Sequence, residues 1–576
     1  MIGMSCRALV AGLALALGAA PAAQAQRGAN TADLPRVAAV TARHGMVVAQ
    51  EKRAARIGVD VLKRGGNAVD AAVAVGFAMA VTYPRAGNIG GGGFMMIHLA
   101  RRNQQIAIDY RETAPAATSR DAYLDERGEP DPRKLRELGT AVGIPGTVAG
   151  LALAHQKYGS GQFTLAQLIA PAIVLARDGI PVEDDVADSL PLAQAMFARW
   201  PASARIFLRR GGKVLAPGDR LVQSDLARTL DAIARHGPRA FYQGPVAEKI
   251  AAAVRAAGGV MTADDLKSYR AVERSPVRGT YRGFDLVSMP PPSSGGVLLI
   301  QMLNVLEDYQ LRAGDPASLH VMIETMKRAY ADRAQYLGDP DAVQMPVGGL
   351  ASKRYAATLR AAIDPERARP SREVSPGNPA GFEGDNTTHY SVVDRFGNAV
   401  ANTYTLNLSY GVGLVAEGTG VLLNNELDDF AAKPGAPNAF GLVGLNMANA
   451  PGPGKRPLSS MTPTLVLKDG KPVLVAGSPG GSRIITTVLQ VIVNVIDHRM
   501  TIADAVAAPR IHHQWLPDEV WVEAGLPEPA MRELSARGHR MVPRPWGTSA
   551  NSIAVSRNGL TGAADTRTRG AAAVGY

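Results

Sequence analysis

Two hydrophobic periods alternate along this chain. Met46-Val47-Val48-Ala49 is a short unbroken apolar run, the pattern of a strand covered on both faces. Residues 51–64 switch to helical spacing and stop at Gly65-Gly66, and Asn67 is placed to cap a second helix whose apolar positions run through Ala74. After Gly90-Gly91-Gly92-Gly93 a strand continues through Leu99, and 106–111 returns as its hairpin partner. Residues 146–280 read as mostly helical with Gly and Pro punctuation. Pro290-Pro291-Pro292-Ser293-Ser294-Gly295-Gly296 is a rigid turn into a long helix, and 318–336 is another helix. Residues 365–386 carry Pro, Gly and charged side chains without an apolar period, which predicts a flexible linker suited to processing. Next come Tyr390-Ser391-Val392-Val393-Asp394, Arg395-Phe396-Gly397-Asn398 and a β-forming run over 399–405: strand, tight turn, strand. A further hairpin spans 461–477 around Lys468-Asp469-Gly470-Lys471, and 478–483 opens a helix to about Val495. No segment repeats another, and strands and helices mix throughout, as in an α/β fold.

The 576 residues allow several domains or one large α/β unit split by processing. The first 25 are expected to lie outside the fold. Arg7 supplies a positive start, 8–20 is an apolar run, and Ala23-Gln24-Ala25 is a small-x-small cleavage site. This is the pattern of a secretory signal peptide, and it predicts a periplasmic or secreted protein. Cys6, the single cysteine, falls within that segment, so the exported chain would carry neither disulfide nor thiol chemistry. No later stretch offers about 18 unbroken apolar residues, so no membrane span is expected. Net charge is +11, but Lys and Arg are scattered and aromatics are 5%, which gives no patch for nucleic acid. A basic surface suits anionic small substrates instead.

Several residues invite a chemical reading. Four consecutive glycines resemble a phosphate cradle, yet no Gly-Lys-Ser/Thr follows and a strand comes next, so close backbone packing fits better. His320 and Glu324 stand one helical turn apart without a third ligand at metal spacing, which favours a polar helix face; no metal is expected. The adjacent His512 and His513 read as packing or hydrogen-bonding groups. Thr387 stands where the linker enters a strand. It is either a locally bonded strand-start threonine or, if the chain is cut before it, a hydroxyl nucleophile with a free α-amine on the same Cα. Such an amine, with a reference pKa of about 7.7–8.0, serves as general base near working pH. Spacing alone leaves both readings open.

Four words in order decide between them. Thr387-Thr388-His389-Tyr390-Ser391, Leu423-Asn424-Asn425-Glu426-Leu427-Asp428-Asp429-Phe430, Lys455-Arg456-Pro457-Leu458-Ser459-Ser460-Met461 and Gly477-Ser478-Pro479-Gly480-Gly481-Ser482-Arg483, with Arg111-Glu112 upstream, make the chain resemble the γ-glutamyltransferases (γ-glutamyltranspeptidases) of the N-terminal-nucleophile hydrolase superfamily. The resemblance implies a four-layer αββα sandwich and a precursor cut between Asn386 and Thr387, giving a large subunit of 26–386 and a small one of 387–576 that stay together. It implies Thr387 as nucleophile, Thr405 as its orienting partner, and Gly480 and Gly481 as oxyanion donors. Arg111, Ser459 and Ser460 would take the α-carboxylate of a γ-glutamyl group, and Asn407, Glu426 and Asp429 its α-ammonium, on opposite sides of a pocket. Substrates would be γ-glutamyl amides such as glutathione, with water, amino acids or peptides as acceptors and no cofactor. A cephalosporin (glutaryl) acylase on the same scaffold is the alternative, and an uncut γ-glutamyl-binding protein a third reading. The segment 433–441 matches a lid loop of many bacterial members, which often carry Tyr where this chain has Phe440. Without that hydroxyl, a latch bond to Asn407 is lost and a more weakly held lid is expected.

Overall fold

The computed structural model describes residues 36–379 and 390–576. Asn386, Thr387 and the N-terminal segment therefore lie outside the described residues. Two seven-stranded antiparallel sheets form the centre. One runs, in spatial order, Ala572–Gly575, Met46–Ala49, Tyr390–Val393, Ala399–Thr405, Gly92–Leu99, Gln104–Tyr110 and Val272–Arg274. The other runs Ala39–Ala42, Gly559–Ala563, Ser552–Ser556, Lys471–Ala476, Thr464–Lys468, Phe284–Ser288 and Val277–Tyr281. All four sequence-predicted hairpin strands of the downstream half are present, at Tyr390–Val393 with Ala399–Thr405 and at Thr464–Lys468 with Lys471–Ala476.

The apolar runs explain the layering. Side chains of a strand alternate between faces, so a strand apolar at every position serves two cores. Met46 and Val48, Phe94 and Met96, Leu465 and Leu467, and Val475 fill the space between the sheets. Val47, Ala49, Met95 and Ile97 point the other way, against the helices Lys52–Lys63, Ala68–Thr82, Thr147–Tyr158, Leu165–Asp178, Ser224–His236 and Pro245–Ala256. Val466, Leu474 and Ala476 face the opposite layer, built from Gly295–Leu306, Pro316–Tyr336, Lys353–Ala361, Arg483–Ile496 and Ile502–Ala507. The result is helices, sheet, sheet, helices. Asn67 caps Ala68–Thr82 in a reciprocal capping box with Asp70, and every residue of that helix is buried.

Two expectations change. Within the stretch read as a linker, 365–379 is tied down by polar contacts, with Ala368 and Val374 buried beside them. Ser371 donates from N and Oγ to Asp518 (2.8 and 2.7 Å), Trp515 Nε1 donates to the carbonyls of Ser371 and Val374, and Gly377 N donates to Asp332 (2.8 Å). Such anchors leave no periodicity to detect. His320 and Glu324 are buried rather than on an exposed polar face. His320 bonds His539 and the carbonyl of Asp364, and Glu324 pairs with Lys327 and Arg328.

Candidate active site

Arg111 lies one residue beyond the strand Gln104–Tyr110 and is 0% exposed. Its Nε donates to the Pro457 carbonyl (3.1 Å), Nη1 to Glu426, and Nη2 to Asp429 Oδ2 (2.6 Å). A desolvated guanidinium needs such partners, because burial of an unpaired charge costs several kcal/mol. The two carboxylates come from the one-turn 3₁₀ segment Glu426–Asp429, where i and i+3 side chains share a side. The groups expected on opposite sides of a pocket thus touch directly. The physical reason is the burial of Arg111, which draws both carboxylates onto its fork.

Three carboxyl groups crowd this arginine. Glu112 is buried, and among the described residues neither of its oxygens, nor Glu426 Oε2, has a hydrogen-bond donor. Burial, with the Glu426 charge beside it, drives the Glu112 carboxyl well above the usual range; a proton shared between the two groups would bridge one oxygen of each. Burial also pushes Glu426 up to about 7, with Arg111 opposing, and raises Asp429. The 3₁₀ turn is held by asparagines. Asn424 donates to the carbonyls of Gly90 and Gly143 and accepts from Glu426 N, and Asn449 donates to the Asp429 carbonyl while accepting from Leu458 N.

Ser459 and Ser460 follow immediately on that last bond. The Pro/Ser/Gly turn expected to open a helix has a second role: Ser459 N donates to the Pro292 carbonyl (2.8 Å), while Ser294 N and Oγ both donate to the Ser459 carbonyl (2.8 and 2.9 Å). Arg333, from the helix Pro316–Tyr336, donates to Ser294 Oγ (2.7 Å) and Ser460 Oγ (3.3 Å). One turn earlier, Tyr330 donates to the Ser482 carbonyl beside the paired glycines. A single helix face therefore braces both segments.

Thr405 ends its strand at the same place. Its Oγ1 accepts from Asn407 N (2.8 Å), and Asn407, at φ 73°, donates its side-chain amide to the Asn425 carbonyl (2.9 Å). The glycine run 90–93 lies alongside. A Cβ at Gly91 would collide with the Thr405 carbonyl, and one at Gly90 with that of Leu422, so the run serves close backbone approach, as expected. Gly480 and Gly481 precede the helix Arg483–Ile496 at φ 131° and 58°. Among the described residues neither of their N–H groups has an acceptor. The Phe440 ring packs where a Gly481 Cβ would be, and two residues earlier Asn438 donates to Asp429 Oδ1 (3.0 Å). Ala439 N donates to Asp428 Oδ2 (3.0 Å) and Gln514 to the Phe440 carbonyl (3.1 Å). The segment expected as a lid thus spans from the arginine–carboxylate cluster to the glycine pair.

The structure brings together Arg111, Thr405, Asn407, Glu426, Asp429, Ser459, Ser460, Gly480 and Gly481; Asn386 and Thr387 lie outside the described residues. Sequence reasoning missed Asn424, Asn438, Asn449, Tyr330 and Arg333. Asn424 stood inside a quoted motif. Asn438 stood inside the segment 433–441, nine residues from its partner Asp429, and Asn449 lies between two quoted motifs; Tyr330 and Arg333 carry no local signal, since their partners Ser482 and Ser460 lie more than a hundred residues away. His512 bonds Thr486 and packs edge-on to Tyr330, and His513 accepts from Trp515 N, in keeping with the structural reading of that pair.

Paired antiparallel sheets between helical layers make an αββα sandwich of the N-terminal-nucleophile hydrolase fold class. Within that class the chain belongs to the gamma-glutamyltranspeptidase family, whose model matches residues 54–575. It is 50% identical over 541 residues to a glutathione hydrolase proenzyme of Escherichia coli (strain K12), covering 93% of each chain. Among solved structures it is similar to a cephalosporin acylase from Bacillus halodurans, with a TM-score of 0.83 at 25% identity over 98% of this chain and 99% of that one. It is also similar to the Helicobacter pylori gamma-glutamyltranspeptidase, with a TM-score of 0.58 at 43% identity over 60% of this chain and 99% of that one.

Proposed function

We propose that this chain is a self-processing γ-glutamyltransferase that hydrolyses γ-glutamyl amides such as glutathione. The observation that carries this reading is the buried Arg111 held against Asp429 and Glu426 beside the Ser459–Ser460 pair. A γ-glutamyl head group bears one carboxylate and one ammonium. The α-carboxylate exchanges onto Arg111 and the serine hydroxyls, and the ammonium takes the carboxylates so released, with Asn407 contributing an acceptor. Charge pairing is preserved throughout, which keeps the cost of opening the cluster small.

The chain is cut between Asn386 and Thr387 into 26–386 and 387–576, after export by the signal peptide 1–25 to the periplasm or the exterior. The first described strand beyond the cut begins at Tyr390, opposite Asn402, three residues before Thr405 on the partner strand. Thr387 Oγ adds to the γ-carbonyl while its own α-amine takes the hydroxyl proton. Gly480 and Gly481 N–H groups, without acceptors among the described residues and set before a helix, hold the oxyanion; one such donor is typically worth roughly 3 kcal/mol. The amine leaves with that proton, and water or an acceptor amine then attacks the γ-glutamyl ester. Thr387→Ala is expected to remain a single polypeptide without activity; two subunits from that variant on a denaturing gel would overturn the assignment.

A second reading, a glutaryl acylase, has an observation in its favour: the structural similarity to a cephalosporin acylase. A glutaryl group lacks an ammonium. Two carboxylates on the Arg111 fork favour the γ-glutamyl group. Faster hydrolysis of a glutaryl anilide than of the γ-glutamyl anilide would reverse that choice, and an intact precursor mass with tight γ-glutamyl binding would indicate a binding protein.

A further inference from the structure

Arginine is almost never fully buried unless paired. Arg111 has Glu426 and Asp429, Arg510 has Asp565, and Arg567 has Glu523 and Asp565. Arg333 is only 4% exposed, and its hydrogen bonds go to two serine hydroxyls; among the described residues no carboxylate lies within ion-pair distance of it. Burial lowers its pKa to about 10, with Asp429 opposing and Arg111 adding to the fall. Retaining an arginine under those conditions calls for an anion that the fold itself does not supply.

The two hydroxyls differ in what they do with their own protons. Ser294 Oγ accepts from Arg333 and donates onward to the Ser459 carbonyl. Ser460 Oγ accepts from Arg333 Nη2, and among the described residues no acceptor takes its proton. A hydroxyl that accepts from a cationic donor is polarised as a donor, and its O–H is left for another acceptor. We infer that Arg333 is a positioning residue that sets Ser460 to donate to a substrate carboxylate and adds a second positive charge behind that subsite, selecting donors with an ionised α-carboxylate. This rests on the γ-glutamyl reading of the site. Arg111 holds the carboxylate directly, and Arg333 acts through the serine.

The test uses the processed enzyme and two donors, γ-glutamyl-p-nitroanilide and the same anilide with its α-carboxylate converted to a carboxamide. Arg333→Gln is expected to raise KM for the carboxylate donor about tenfold, with kcat within about threefold, and to leave KM for the carboxamide donor unchanged. Arg333→Lys keeps the charge but not the two-point geometry and falls between. In a Ser460→Ala background the Arg333→Gln effect shrinks, because the hydroxyl it acts through is gone. Should Arg333→Gln fail to fold or process, Arg333→Lys is judged by the same ratio of the two donors. Equal losses on both donors, a fall in kcat with KM unchanged, or an unaltered ratio in both variants overturns the inference. A wild-type enzyme that cleaves neither donor overturns the γ-glutamyl reading itself, so the two failures are distinct.

Discussion

At the scale of single residues, the site works by crowding charge where water is scarce. Glu426 and Asp429 share one guanidinium, and burial raises the pKa of both carboxyl groups. The sign of the consequence follows from which form binds. The ionised carboxylate receives an ammonium; the protonated acid does not. With Glu426 pushed up to about 7, KM for γ-glutamyl donors should rise as the pH falls below that value, and the limb should flatten in Glu426→Gln. The groups titrate as a set, so the profile reports the cluster rather than one side chain. The free α-amine of Thr387 would place its own limb in kcat, which separates the two effects. An unchanged KM limb in Glu426→Gln removes Glu426 from ammonium recognition.

At the scale of elements, the lid segment and one helix tie remote stretches to the site. Asn438 accepts from Phe440 N and Leu442 N, which shapes the loop, and donates to Asp429. Asp429 therefore joins lid and head-group cluster. Asn438→Ala should raise KM for glutathione by several-fold and speed proteolytic nicking of 433–445, with thermal stability lowered by only about 1 kcal/mol. Phe440→Tyr supplies the hydroxyl common in bacterial members, and a lower KM is expected; equal KM and kcat to wild type would show that Asn438 and the ring packing on Gly481 already hold the loop. The helix Pro316–Tyr336 makes a parallel case. Its apolar period was legible, but the use of Tyr330 and Arg333 was not, because their acceptors Ser482 and Ser460 lie more than a hundred residues away.

At the scale of the whole molecule, the position of the proposed cut matters more than the sizes of the pieces it would give. Tyr390–Val393 and Ala399–Thr405 sit between Met46–Ala49 and Gly92–Leu99 in one sheet; Lys471–Ala476 and Thr464–Lys468 sit between Ser552–Ser556 and Phe284–Ser288 in the other. Each sheet therefore interleaves strands from both sides of residue 386. Fragments 26–386 and 387–576 should co-elute in native size exclusion and separate only in denaturant, since parting them would break backbone ladders and open the inter-sheet core. Separate elution of active fragments would contradict the interleaved topology.

Sequence alone determined the local grammar of this protein. The unbroken apolar strands dictate burial on both faces, and with it a layered sandwich. The Asn67 cap, the Gly397-Asn398 bend and the glycine runs follow from backbone sterics that act over a few residues. The candidate site residues stand in motif words, and their types suit a carboxylate, an ammonium and an oxyanion. Only the tertiary structure decided that Arg111 lies directly on Asp429 and Glu426, that 365–379 is pinned, and that Arg333 and Asn438 reach into the cluster. Those outcomes depend on hydrogen bonds and ion pairs between distant segments, whose energy comes from exclusion of water by the assembled layers. No periodicity along the chain encodes which far-off side chain that exclusion will bring within reach.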